Sequence, residues 1–147
     1  MASSDVLVER SFEIAVPIDR AWDLLAQVER WPEWAPHIRT AHVEGAPLGA
    51  PSEGWFKFRP VGSAHFAMTT WRPPMSWTWR GRALGLSIDY HHHFEAVGTE
   101  RTRLTWVVEL ADGSPGLRAK AFARTYGRNV DRAWPSFVAW AEDEAAR

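Results

Sequence analysis

Residues 14–36 read IAVPIDRAWDLLAQVERWPEWAP. Ile14 and Val16 close a run in which Val6, Val8, Phe12, Ile14 and Val16 share one parity and Glu9, Ser11 and Glu13 the other. That alternation predicts a half-buried strand over 6–16, with Arg10 as the exception on the apolar face. Pro17 stops the strand and suits the first turn of a helix, where its missing N–H is not needed. Asp19 is favourable near the positive end of that helix, and Ile18, Trp22 and Leu25 recur at helical spacing. Trp31-Pro32-Glu33-Trp34 ends or kinks the helix and predicts a second short helical turn.

Downstream the period changes to two. Strands are expected over 38–44, 55–59, 64–72, 75–82, 86–97 and 102–110, separated by turns bearing Gly or Pro. Short connections between them predict an antiparallel meander. Ser114 then reads as a helix cap with Pro115 at the first position. Leu117, Phe122, Tyr126, Val130, Phe137 and Trp140 form a broad apolar stripe, and Gly127 and Pro135 inside it predict a bend or break. The class is α+β: seven antiparallel strands, two short helices after the first strand, and one long C-terminal helix. Such a sheet buries its apolar face by curling around the helix, which leaves a space between them that side chains need not fill.

The chain has 147 residues, expected to form one domain over 1–147. It has no cysteine, which excludes disulfides, thiolate metal sites and thiol chemistry. A net charge of −1 argues against a nucleic-acid partner, and no apolar run approaches a membrane span. Residues 1–5 show no leader pattern, so a cytoplasmic location is expected. Ten residues are Trp against two Tyr, and fifteen of the seventeen basic residues are Arg. Tryptophan is favoured where one edge of a side chain is apolar and the other polar.

Residues 15–22 and 28–36 together resemble the START/SRPBCC superfamily, whose helix-grip fold is that of the birch-pollen allergen, and most of all its polyketide cyclase/dehydrase branch. A Pro-started helix with Trp22 on its second turn, followed by Trp31-Pro32-Glu33-Trp34, carries the likeness, supported by Gly98-Thr99 and Thr102–Trp106 before the last helix. The resemblance implies a cavity for a hydrophobic aromatic or poly-ketone molecule. It also implies aldol cyclisation and dehydration in some members, and carriage of lipid-like molecules without chemistry in others.

Parity assigns the cavity face. On 86–97, Tyr90, His92 and Phe94 point inward while Asp89, His91 and His93 point outward. Trp106 faces in on 102–110, Trp77 and Trp79 on 75–82, and Phe56 and Phe58 after the loop. On 64–72, Phe66, Met68, Thr70 and Arg72 share the inward phase. Arg72 either steadies an oxyanion in the cavity, as the resemblance implies for an Arg on this strand, or reaches solvent before Pro73-Pro74. His92 is either a proton shuttle near neutral pH or a hydrogen-bonded wall residue. Tyr90 either orients a guest through its hydroxyl or packs. Asn129, the only Asn, contacts a ligand from the last helix or caps a second helix after Gly127. Phe122, Thr125 and Tyr126 lie near it. Trp31, Trp34 and His37 rim the mouth or plug the core. Trp22, Trp134 and Trp140 read as helix-to-sheet packing, while Trp55 and Trp71 fall on the outward parity.

Three ligands on one exposed strand (Asp89, His91, His93) suit tetrahedral zinc poorly, so no metal is expected, and no cofactor motif is present. The favoured reading is a polyketide cyclase/aromatase-like protein with Arg72, His92 and Tyr90 as its polar set. The alternative is a non-catalytic carrier or sensor of hydrophobic small molecules. A monomer or homodimer is expected.

Overall fold

The computed structural model describes residues 5–45, 47–112 and 116–147; the expectations for Ser114 and Pro115 lie outside them. Seven strands are present: β1 Val6–Ile14, β2 Ile38–Glu44, β3 Glu53–Phe58, β4 Ser63–Arg72, β5 Ser76–Ala83, β6 Leu86–Gly98 and β7 Arg101–Leu110. Helix α1 spans Ile18–Leu25, a 3-10 turn covers Val28–Glu33, and helix α2 runs Leu117–Ala145. The strands form one antiparallel sheet in the order β1-β7-β6-β5-β4-β3-β2.

Local chemistry sets the junctions. Pro17 holds an extended backbone (φ −59°, ψ 152°) and its carbonyl accepts from Ala21 N at 2.8 Å, the first bond of α1. At the other end Trp31 Nε1 donates to the Leu25 carbonyl at 2.8 Å, satisfying one of the acceptors that a helix terminus leaves open. The Trp-Pro-x-Trp segment therefore closes α1 and starts the descent to β2 in one step. Glu29 Oε2 accepts from Val43 N at 3.0 Å and ties the 3-10 turn to β2.

Helix α2 is continuous, so the expected break at Gly127 or Pro135 does not occur, and Asn129 is a helix-interior residue rather than a cap. Leu117 is 87% exposed and does not belong to the apolar stripe. The buried positions are mostly small: Ala119, Gly127, Ala133 and Ala141, with Val130 and Phe137. The helix thus offers little volume, and the concave sheet face supplies the large aromatics that fill the space. Arg10, the odd residue on the apolar face of β1, reaches α2: its Nε and Nη2 donate to Asp131 Oδ1 and Oδ2 at 2.6 and 3.1 Å.

Register corrects three assignments on β4. Met68 pairs with Trp79, but the next partner of β5 is met by Thr70, opposite Thr78, with Thr69 left over as a bulge. One extra residue reverses every side chain beyond it. Thr70 and Arg72 therefore leave the cavity face, Arg72 is exposed at the strand end, and Trp71 turns inward against Trp22 (5.1 Å) and Trp77 (5.8 Å). Trp55 does lie on the outer face, beside His42 and under the Lys57 ammonium at 5.2 Å.

Candidate functional site

Between sheet and helix lies a cavity of about 80 Å³. Its walls come from the 3-10 turn (Trp31, Trp34), β3 (Phe56, Phe58), β4 (Phe66), β5 (Trp79, Gly81), β6 (Tyr90, His92), β7 (Trp106, Val108) and α2 (Tyr126, Val130, Ala133). Trp31 is the hub: its ring lies 5.4 Å from Phe56, 5.5 Å from Trp79 and 5.2 Å from Trp34. Phe66 stacks on Trp79 at 4.1 Å. Gly81 leaves room that no other residue gives, because a Cβ there would meet the His65 carbonyl oxygen at 2.8 Å.

Not every expected residue lines it. Trp77 is fully buried behind the wall, edge-on to Trp22 at 4.9 Å, and is core. Met68 faces inward but packs into the core, and Phe122 stacks on Tyr126 at 5.3 Å outside the lining. Thr125 is exposed on the far side of α2. Asn129 lines a second, more open space of about 340 Å³, with Pro36, His37, Arg59, Pro60 and Arg132. His37 is a wall of both spaces, so this second space reads as the mouth of the first. Arg59 and Arg132 escaped the sequence reading. The available signal was that Arg132 follows Asn129 at i+3 and so shares its helix face.

The polar groups in the wall are desolvated. His92 Nδ1 donates to the Trp77 carbonyl at 3.3 Å, which fixes the tautomer and leaves the Nε2 lone pair free. Burial pushes its pKa down to about 3, so the ring is neutral. Burial lowers His37 to about 4. The Tyr90 and Tyr126 hydroxyls are pushed up by burial and stay protonated. The Nε1 donors of Trp34, Trp77 and Trp106 and the Nδ1 of His37 are buried with no hydrogen-bond partner among the described residues; Trp34, Trp106 and His37 line the cavity, and Trp77 does not. Buried donors left unpaired are costly, and a structure normally satisfies them.

On the opposite sheet face, ligand-type atoms of Asp89, His91 and Glu109 lie within 4.8 Å of one another. Glu109 of β7 stands there in place of His93. These groups are already engaged: Arg80 donates to both Asp89 oxygens at 2.8 and 3.1 Å, and His91 Nε2 lies 2.9 Å from Glu109 Oε1.

The model of the family described as polyketide cyclase / dehydrase and lipid transport matches residues 5–142. The chain belongs to this family. No curated protein matches it by sequence. Among solved structures this cyclase/dehydrase family member is similar to the Zhui aromatase/cyclase of a Streptomyces species, with TM-score 0.69, 17% identity, and 95% of this chain covering 93% of that one. It is also similar to the di-domain aromatase/cyclase StfQ of the steffimycin biosynthetic pathway, with TM-score 0.72, 16% identity, and 99% of this chain covering 54% of that one. A START superfamily protein of Mycobacterium smegmatis gives TM-score 0.67 at 13% identity, with 92% of this chain covering 97% of that one. These likenesses establish the helix-grip fold for the family member described here. Among its described residues no helix is long and apolar enough to cross a membrane.

Proposed function

We propose that this protein binds one aromatic or poly-ketone molecule between sheet and helix, and that the guest carries carbonyl-type acceptors. The observation behind this reading is the set of unpaired buried donors, Trp34 Nε1 and Trp106 Nε1, in an otherwise aromatic wall. A hydrocarbon would leave them unpaired, whereas a ketone or quinone oxygen would satisfy them at about 1 kcal/mol or more each. Size limits the guest. About 150 Å³ is the order of cavity that takes up a benzene ring, so the about 80 Å³ here holds part of a guest and the rest extends past His37 into the mouth.

Holding is supported better than turnover. The oxyanion role considered for Arg72 has no support, because that side chain is outside. His92, with a pKa of about 3, is a weak base for removing a proton between two carbonyls; it suits accepting a hydrogen bond from an enol or phenol. In the second reading, aldol cyclisation, His92 Nε2 takes the carbon-bound proton and Tyr90 hydrogen-bonds the developing alkoxide. It is favoured by the two polar groups sharing one wall.

Calorimetric titration with 2-acetylnaphthalene and with 2-ethylnaphthalene tests the first reading. The ketone is expected to bind about tenfold tighter, to be recovered unchanged, and to lose most of its advantage in Trp34→Phe. Equal binding of the two compounds, or none, overturns it. A synthetic tetraketide thioester tests the second: a ring product formed by the protein and lost in His92→Gln would move the reading to cyclase.

A further inference from the structure

The mouth is lined by Pro36, His37, Arg59, Pro60, Asn129 and Arg132, with no carboxylate among them. Several arginines elsewhere in the fold sit against acids: Arg10 with Asp131, Arg30 with Glu33 and Glu144, Arg80 with Asp89, Arg101 and Arg103 with Glu13. Arg59 and Arg132 have no carboxylate oxygen within 4.0 Å among the described residues, and the acid nearest Arg132 in the chain, Asp131, is held through both oxygens by Arg10. Two unmatched guanidinium groups therefore line one opening in a chain whose net charge is −1. A guanidinium presents a rigid fork of donors that fits a carboxylate or phosphate through two parallel bonds.

The opening adjoins the aromatic cavity at His37. His37 forms a wall of both, and its carbonyl accepts from Arg59 N at 2.9 Å, which fixes the end of β3 beside it. A guest too large for the inner space must run past this point. We infer that the mouth is an oxyanion site: Arg59 and Arg132, with the Asn129 amide as a neutral donor, hold a carboxylate or phosphate on a guest whose aromatic body enters the inner cavity. The inference rests on the proposed occupancy of that cavity and names the outer end of the guest. The ligand class becomes acidic aromatic or poly-ketone molecules rather than neutral ones.

Calorimetry with 2-naphthoate, its uncharged isostere 2-naphthamide, and 2-naphthyl phosphate tests it, with 2-acetylnaphthalene as the control for the inner cavity. Naphthoate is expected to bind at least tenfold tighter than naphthamide at low salt, with the gap shrinking as salt rises. The exposed double substitution Arg59→Gln with Arg132→Gln should abolish the gap between naphthoate and naphthamide. A tighter grip on naphthyl phosphate than on naphthoate assigns the site to phosphate-bearing guests; the reverse order assigns it to carboxylates. Equal binding of naphthoate and naphthamide, or a gap that survives the double substitution, overturns the inference while the control still reports the cavity. Failure of every compound, the control included, overturns both readings.

Discussion

His37 and His92 are the two titratable side chains whose ionisation the cavity wall suppresses within the pH range of ordinary buffers. Burial is the main cause in both, lowering them to about 4 and about 3 from a value near 6.5 in the unfolded chain. The sign follows from linkage. Above pH 7 both states are neutral and stability is whole. As pH falls through 6.5 the unfolded chain takes up protons that the fold refuses, so stability is lost until the folded values are reached. Each histidine is worth about 2 kcal/mol between pH 7 and pH 5 on this reckoning. Urea unfolding at the two pH values should show the wild type losing stability, and His92→Gln should lose about 2 kcal/mol less. An unchanged pH dependence in that variant would show that His92 takes up its proton in the fold over the same range as in the unfolded chain.

At the scale of the element, the hairpin between β5 and β6 carries the clearest local conflict. Ala83 pairs with Leu86, so Leu84-Gly85 is a two-residue turn, and both residues have positive φ, 54° and 76°. That turn favours Asn-Gly, and a leucine there costs about 1–2 kcal/mol of backbone strain. Leu84 is 57% exposed and so returns little by burial. The bond that Arg118 Nη1 makes to it goes to the main-chain carbonyl and survives substitution. Leu84→Asn should therefore raise the unfolding free energy by about 1 kcal/mol in chemical denaturation. The same scale shows what the sequence could tell. On β5, β6 and β7 the register is unbroken between Ser76 and Ala96, and period-two reading put Trp79, Tyr90, His92 and Trp106 on the cavity side, where they are. On β4 the bulge falls within Met68-Thr69-Thr70, which has no Gly or Pro to mark it, and Thr70, Trp71 and Arg72 were assigned to the wrong faces. The mouth was illegible for another reason. Arg59 and Arg132 stand on different elements, and only the curl of the sheet around α2 brings them to one opening.

At the scale of the molecule, the apolar interior of the described residues forms two clusters. The larger holds Phe12, Trp22, Trp31, Trp34, Trp77, Trp79 and Phe137; the smaller holds Val8, Ile88, Val108 and Leu110 with Phe122 and Tyr126 packed against it. Tyr90 touches both, and the cavity lies where they meet. The cavity is thus the seam of a divided core, and the residues that define it also hold the fold together. Phe137 shows the coupling. It is fully buried on α2, with ring centroids 4.8 Å from Trp34 and 6.0 Å from Trp106, both cavity walls, and 6.4 Å from Phe12 on β1. Removing it takes away the surface on which two donor-bearing indoles rest. Phe137→Ala should cost about 3–5 kcal/mol, a large part of the about 5–15 kcal/mol that holds a domain of this kind. Phe122→Ala, at the partly buried edge of the smaller cluster, should cost clearly less. Urea unfolding of the two variants checks the order. A Phe137→Ala loss no greater than that of Phe122→Ala would mean that α2 is gripped chiefly through its small residues, and that the aromatic wall stands without it.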